Sequence, residues 1–239
     1  MDLASRRERL RSLHVPGKPL VLPNAWDAAS ARTVVSAGFP VVATTSAGVA
    51  DALGYEDHQG APVEEMLAAA ARIIRAVEVP VTVDFEAGYG LDVPELVAAL
   101  REVGAAGCNL EDTDHATETL HNVDEHAVWL RRVREQDDTL VINARIDVFL
   151  IGSGDLDEAL RRAHSYFDVG ADCVYPIALS DRAALEQFVA EAGGPVNVLA
   201  DAGPAAELAD LGVARISYGA QLYRQTMEQF ARSLSAFNA

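Results

Sequence analysis

Asp84 and Glu86 close a short run, Pro80-Val81-Thr82-Val83, and the glycine-flanked turn Gly88-Tyr89-Gly90 follows at once. A third acid, Glu111, ends a second apolar run that begins at Cys108, and Arg145 and Asp147 end another. Carboxylates brought together repel one another. A divalent cation would relieve the repulsion; so would pairing with Arg145 or capping of the helices that follow. If a cation is held, oxygen donors with no His or Cys in the pattern favour Mg²⁺ or Mn²⁺ over Zn²⁺. Candidate proton carriers stand close by in the chain. His115 and His121 flank a polar stretch after Glu111, and histidine titrates near neutral pH; the alternative for both, and for Glu118, is a solvated loop side chain. Tyr89 could donate a proton or simply pack in its turn.

Such residues need a scaffold that delivers them to one place. The chain repeats one alternation: a four-to-six-residue apolar run, a polar residue at its end, then a helical segment. The runs are 20–23, 41–45, 79–84, 108–111, 140–145, 173–176, 196–200 and 214–217. Helical patterns fill 28–37, 63–77, 94–103, 124–136, 155–169, 181–191, 204–211 and 220–237, after an amphipathic helix over 2–14. Eight strands alternating with eight helices predict an α/β fold, a closed (β/α)₈ barrel in one domain over 1–239, with an open doubly wound sheet as the alternative. In a barrel the site lies at the carboxyl ends of the strands. Read in order, those ends give Asn24, Thr45 with Ser46, Asp84 with Glu86, Glu111 with Asp112, Arg145 with Asp147, Tyr175, Asp201, and Ser217 with Tyr218.

Composition narrows the partners. With 36 acidic and 19 basic residues the formal net charge is -17, which argues against a nucleic-acid or anionic-membrane surface. Cys108 and Cys173 lie far apart in apolar runs, as reduced core residues do. The charged N-terminus lacks an apolar signal core, and no apolar stretch reaches the roughly 18 residues that span a bilayer. A cytoplasmic protein is expected.

The ordered motifs Leu22-Pro23-Asn24-Ala25-Trp26-Asp27, Thr45-Ser46-Ala47-Gly48-Val49-Ala50, Leu53-Gly54-Tyr55-Glu56-Asp57, Val83 to Gly90, Asn109-Leu110-Glu111-Asp112 and Asn143-Ala144-Arg145-Ile146-Asp147 resemble the isocitrate lyase and phosphoenolpyruvate mutase superfamily from about Leu20 to Gly219. The resemblance implies a Mg²⁺-dependent barrel enzyme, with Asp84 nearest the metal and Glu86, Glu111 and Asp57 holding its waters. It implies that Thr45, Ser46 and Ala47 form a turn binding a substrate carboxylate through backbone N–H groups, and that Arg145 pairs with substrate oxygens. Trp26 and Asp201 join the substrate-binding candidates, Trp26 with packing as its alternative. Lyases of the family carry a cysteine on a mobile lid after the third acid. Here Thr113 to Asn122 has none, and the lysine-bearing lid of the phosphonate-forming mutases is absent too. Ile177 and Asp201 also depart from the lyase pattern, so the substrate pocket has been rebuilt.

The expected activity is Mg²⁺-dependent cleavage of a bond, carbon-carbon first, next to the 2-oxo or enolate carboxylate of a small 2-oxo or 2-hydroxy acid. A phosphorus-carbon isomerase and a non-catalytic binder of metal and oxo-acid are the alternatives. The resemblance also implies a homo-oligomer, tetramer or dimer, and the apolar residues Leu222, Met227, Phe230, Leu234 and Phe237 offer a contact surface; closing the barrel's own helix ring is the other use for them.

Overall fold

The structure, a computed structural model, describes residues 1–235 and Phe237. In chain order the elements are α1 (Leu3–Ser12), β1 (Leu20–Leu22), β2 (Asn24–Ala25), α2 (Ala28–Ser36), β3 (Val42–Thr44), α3 (Ser46–Leu53), α4 (Val63–Arg75), β4 (Val81–Asp84), α5 (Val93–Val103) and β5 (Gly107–Glu111). Then come β6 (Thr113–Asp114), β7 (Thr119–Leu120), α6 (Val123–Gln136), β8 (Val141–Ile146), α7 (Leu156–Asp168), β9 (Cys173–Pro176), α8 (Arg182–Glu191), β10 (Asn197–Leu199), α9 (Ala205–Asp210), β11 (Arg215–Ser217) and α10 (Gln221–Ser235). The expected continuation of the last helix through Ala236 lies outside the described residues.

Local chemistry sets the boundaries. Asp27 and Asp92 each accept an N–H from three residues on, with Ser30 and Glu95 returning the bond, so α2 and α5 start in capping boxes. Gly54 and Gly104 end α3 and α5 in the left-handed conformation that turns the chain towards its next segment.

All strands of the barrel pair in parallel. One set runs β2-β3-β4-β5-β8-β9 and a second runs β1-β11-β10. β1 and β2 are two parts of one strand interrupted at Pro23, and a bridge between Val174 and Val196 joins β9 to β10. The ring therefore closes, and the barrel rather than the open sheet is the architecture. The strand interiors are buried on both faces, and Phe85, Leu96, Leu100, Leu110 and Phe188 sit at or near zero exposure between sheet and helices. Helix α1 covers the amino-terminal mouth: Leu10 packs with Leu20, Leu22, Val41, Ala43, Ala106 and Val141, and Arg7 reaches Asp137 at 2.8 Å. Among the described residues no helix is long and apolar enough to cross a membrane.

Two features depart from the sequence expectation. Thr45-Ser46-Ala47, expected as a turn, opens helix α3, with Thr45 as its N-cap. The polar stretch after Glu111 is a small antiparallel hairpin, with Thr113 opposite Leu120 and Asp114 opposite Thr119.

Candidate functional site

The site follows from strand register. β4 pairs with β5 so that Asp84 lies beside Asn109, and β5 pairs with β8 so that Asn109 lies beside Asn143 and Glu111 beside Arg145. In parallel strands, neighbours in register point their side chains the same way, so these groups meet at the carboxyl end of the barrel. Asp84 accepts the Ser46 backbone N–H at 3.1 Å on Oδ2 and the Asn109 amide at 3.2 Å on Oδ1. Its own N–H donates to the Thr44 hydroxyl at 2.8 Å. Both of its carboxylate contacts are neutral donors.

Asp84 opens onto a cavity of about 390 Å³ whose lining includes Thr45, Ser46, Ala47, Asp57, His58, Arg145, Tyr175 and Asp201. Ser46 and Ala47 are the first two residues of α3, where backbone N–H groups have no intrahelical acceptor and the helix dipole favours an anion. Leu150, Ile177, Ala178 and Leu199 form an apolar part of the wall, and Arg224, contributed by α10, stands at the rim.

Behind Asp84 lie Glu86 and Glu111, 3% and 1% exposed. Glu86 accepts the Tyr89 hydroxyl on Oε1 and the Gln59 N–H at 2.7 Å on Oε2. Burial, with the nearby charges of Asp84, Glu111 and Asp57 adding to it, pushes the Glu86 carboxyl up to about 7 against the pull of the Tyr89 bond. Burial also raises Glu111, although Arg145 pairs with its Oε2 and His115 Nε2 meets its Oε1. The Glu111 bond in turn raises His115. Arg145 is shared: Nε and Nη2 donate to Asp147 at 2.6 and 2.7 Å. His58, Gln59, Glu86, Tyr89 and Glu118 all hold positive φ values, between 54° and 63° for four of them and 46° for Glu86. Side chains other than glycine seldom adopt this conformation, and its concentration around one cluster of acids is the pattern of a functional site.

The structure thus gathers Asp84, Asp57, Thr45, Ser46, Ala47, Arg145 and Asp201 on one cavity. Glu86 and Glu111 are set behind it, and Tyr89 serves Glu86 without lining the cavity. An oxygen-only set was expected from the residue pattern; instead a histidine, His115, stands against the acids. It lines an adjoining cavity of about 450 Å³ with Glu118, Thr113 and Asp147, which shares His58, Arg145 and Leu150 with the first. His121 is not brought to either cavity. Its backbone N–H donates to the Asp112 carbonyl oxygen at 2.8 Å, and its ring stacks on His126 and lines a separate cavity with Trp129. Trp26 packs edge-on against Tyr223 and does not line the cavity. Asp112, one of the strand-end acids, is structural: Arg162 and Tyr166 donate to it at 2.8 and 2.7 Å in a fully buried cluster.

Asn109, His58 and Arg224 escaped assignment in the sequence. Asn109 stood inside a quoted motif, and its inward direction was readable from the alternation along β5. Nothing local marked the other two.

A closed barrel with acids, an arginine and a helix N-terminus at the carboxyl ends of its strands defines the class: a TIM-barrel scaffold with a polar cavity at that end. The family model described as phosphoenolpyruvate phosphomutase matches residues 10–238. The chain belongs to the isocitrate lyase and phosphoenolpyruvate mutase superfamily, whose members are Mg²⁺-dependent lyases and mutases. A crystal structure of a protein provisionally assigned as a phosphonomutase, from Burkholderia cenocepacia J2315, is 40% identical with a TM-score of 0.92, covering 97% of this chain and 99% of that one. An oxaloacetate decarboxylase of Bradyrhizobium diazoefficiens is 33% identical, over 82% of this chain and 71% of its own. A protein named as a probable 2-methylisocitrate lyase, from Corynebacterium glutamicum, is 30% identical, over 96% and 80%.

Proposed function

We propose that this protein is a divalent-cation-dependent lyase that breaks the carbon-carbon bond next to the 2-oxo or enolate carboxylate of a small dicarboxylic acid, an oxaloacetate-like acid foremost. The observation that carries the reading is the pairing of Asp84 with the Ser46 N–H at the start of α3, in a cavity that also presents Arg145. One end of the cavity suits a carboxylate, and a volume of about 390 Å³ suits a small acid. The similarity to an oxaloacetate decarboxylase supports the same choice of substrate class.

The residues fit a cation. Glu86 is a buried carboxylate whose hydrogen-bond donors, Tyr89 and Gln59, are both neutral, and Glu111 and Asp84 stand near enough to raise it further. Asp84, Glu86, Glu111 and Asp57 are the residues that would hold Mg²⁺, and when bound it supplies positive charge where oxygen becomes anionic. The chain's own groups do the rest. Ala47 and its helix N-terminus hold the substrate carboxylate, and Arg145 faces the 2-oxo oxygen. As the carbon-carbon bond breaks, its electron pair becomes the double bond of an enolate and the carbonyl pair moves onto the 2-oxo oxygen. The other fragment leaves as CO₂ from an oxaloacetate-like acid, and a proton from solvent returns the enolate to a 2-oxo acid. Fixed donors already aimed at the oxygen favour the enolate over the ground state. Leu150, Ile177 and Leu199 keep water from the reacting carbon.

Incubation of a panel of 2-oxo and 2-hydroxy dicarboxylates with the protein, followed by NMR with and without Mg²⁺, tests the reading. Cation-dependent turnover that is lost in Asp84→Ala supports it; turnover unchanged by chelation or by that substitution refutes it.

A second reading, a phosphorus-carbon isomerase acting on a phosphoenolpyruvate-like acid, is favoured by the 40% identity to the Burkholderia cenocepacia protein. It requires a phosphonate signal by phosphorus NMR in the same incubations.

A further inference from the structure

We infer that Tyr175 is a catalytic residue of this chain, its phenol hydroxyl protonating the carbon of the enolate that carbon-carbon cleavage leaves behind. The inference rests on the lyase reading above and supplies the proton-transfer step of that reaction.

Tyr175 stands near the carboxyl end of β9, is 3% exposed, and lines the cavity of about 390 Å³. Its hydroxyl has no hydrogen-bond partner among the described residues. Other tyrosine hydroxyls around the acids are engaged, Tyr89 with Glu86 and Tyr166 with Asp112. The strand order β3-β4-β5-β8-β9 fixes what the free hydroxyl faces. The substrate carboxylate is held at the start of α3, directly after β3, and Arg145 on β8 faces the 2-oxo oxygen. Tyr175 is in register with Arg145, one strand further round the ring. A ligand running from α3 past Arg145 therefore sets its next carbon, the reacting one, against the phenol. Ile177 and Leu199 line the same wall. They hold bulk water off that carbon, so the proton it takes needs a fixed carrier.

Two arginines are placed to receive the charge left on the phenol. Burial raises the Tyr175 hydroxyl well above its ordinary value against the pull of Arg145 and Arg215, with Asp84 and Asp201 adding to the rise, so it enters the reaction protonated. Arg145 is already matched by Glu111 and Asp147. Arg215 is 1% exposed, has no carboxylate within ion-pair distance among the described residues, and its Nη1 has no hydrogen-bond partner there. A buried charge without a counter-ion is costly, and a phenolate formed nearby supplies one. In the step, the Tyr175 O–H bond breaks and its electron pair stays on the phenol oxygen. The double-bond pair of the enolate forms the new C–H bond, and a pair on the 2-oxo oxygen returns to the carbonyl. Water at the cavity mouth then reprotonates the phenolate, so the net proton is the solvent's.

The test uses the full chain with Mg²⁺ and oxaloacetate and follows two products at once. One is CO₂; the other is the keto acid, read by coupling to lactate dehydrogenase, which does not reduce the enol. In wild type the two should appear together, because the enolate is protonated before it leaves. Tyr175→Phe should still release CO₂, while its keto product lags as free enol ketonises in solution. Ketonisation on the enzyme should fall at least about 100-fold, as when a positioned proton donor is removed. The lost hydroxyl has no partner, so the fold should persist, which far-ultraviolet circular dichroism checks. Tyr218→Phe, which removes the other phenol lining the cavity, should show no lag. A lag in wild type, no lag in Tyr175→Phe, or a folded Tyr175→Phe chain that releases no CO₂ overturns the inference and leaves the lyase reading standing. No CO₂ from oxaloacetate with wild type overturns both.

Discussion

The amide of Asn109 donates to Asp84 at 3.2 Å, and it is oriented to do so by two donors that converge on its oxygen: Asn143 Nδ2 at 2.8 Å and Arg215 Nη2 at 3.2 Å. An amide oxygen fixed by two donors leaves its nitrogen one direction to face. Asp84 is thereby held by a chain of polar groups that runs into the barrel interior, where Arg215 is 1% exposed. Replacing Asn109 by Asp sets a like charge against Asp84 and removes a donor. Turnover should fall about 10- to 100-fold, the range for partners that orient a ligand, with the far-ultraviolet circular dichroism unchanged. Steady-state kinetics on the active substrate check this, and an unaltered rate would detach Asp84 from the chemistry.

Gly107 opens β5 where no side chain fits. A Cβ there would stand 2.7 Å from the Val141 carbonyl oxygen and 2.9 Å from Leu10. The carbonyl belongs to the barrel and cannot retreat cheaply, so Gly107→Ala should cost about 1–3 kcal/mol, as overpacking does. For a chain of this size that lowers Tm by about 2–4 °C per kcal/mol, which a thermal melt measures directly.

Two buried histidines work against the fold on the acid side of neutrality, where Glu86, raised to about 7, works for it. Burial pushes His126 down to about 3 and His14 down to about 4, and each has a ring nitrogen without a hydrogen-bond partner among the described residues. Both fold as neutral rings, while in the unfolded chain they protonate near 6.5. Below that pH the unfolded state binds more protons. Their contribution is thus fully present above about 6.5 and is lost as pH falls from there towards 4 and then 3. The histidine contribution is isolated by difference: the urea midpoint of His126→Phe should gain on that of wild type as pH falls through this window, and a constant difference would refute the assignment.

The last helix predicts association. Met227, Phe230 and Leu234 on α10 are 45%, 56% and 46% exposed, and Phe237 beyond it is 83% exposed. The helix does not bury this stripe against its own barrel, so two or four copies of the chain should cover it. Light scattering after size exclusion should return a multiple of the monomer mass, and Phe230→Glu should reduce it. A wild-type monomer at micromolar concentration would sink the expectation.

Much of this was legible in the residue order because it is local. Each apolar run, its terminal polar residue and the helix after it are contiguous, and the eight-fold alternation of these units points to a barrel before any contact is known. Helix α3 was missed because Ser46 to Leu53 is short and rich in small residues, with no wide apolar stripe to announce it. The hairpin after Glu111 was missed because two-residue strands carry no alternation.

The sequence by itself determined that Asp84, Glu86, Glu111 and Arg145 end barrel strands, since strand period and length follow from nearest neighbours. Only the tertiary structure decided their partners. His115 and His121 share one polar loop and one chemistry, yet the hairpin register aims the first at Glu111 and sends the second to stack on His126. Register comes from pairing between distant segments, and a one-residue slip would turn every side chain to the opposite face. For the same reason the histidine beside the acids could be found only once the strands were closed into a ring.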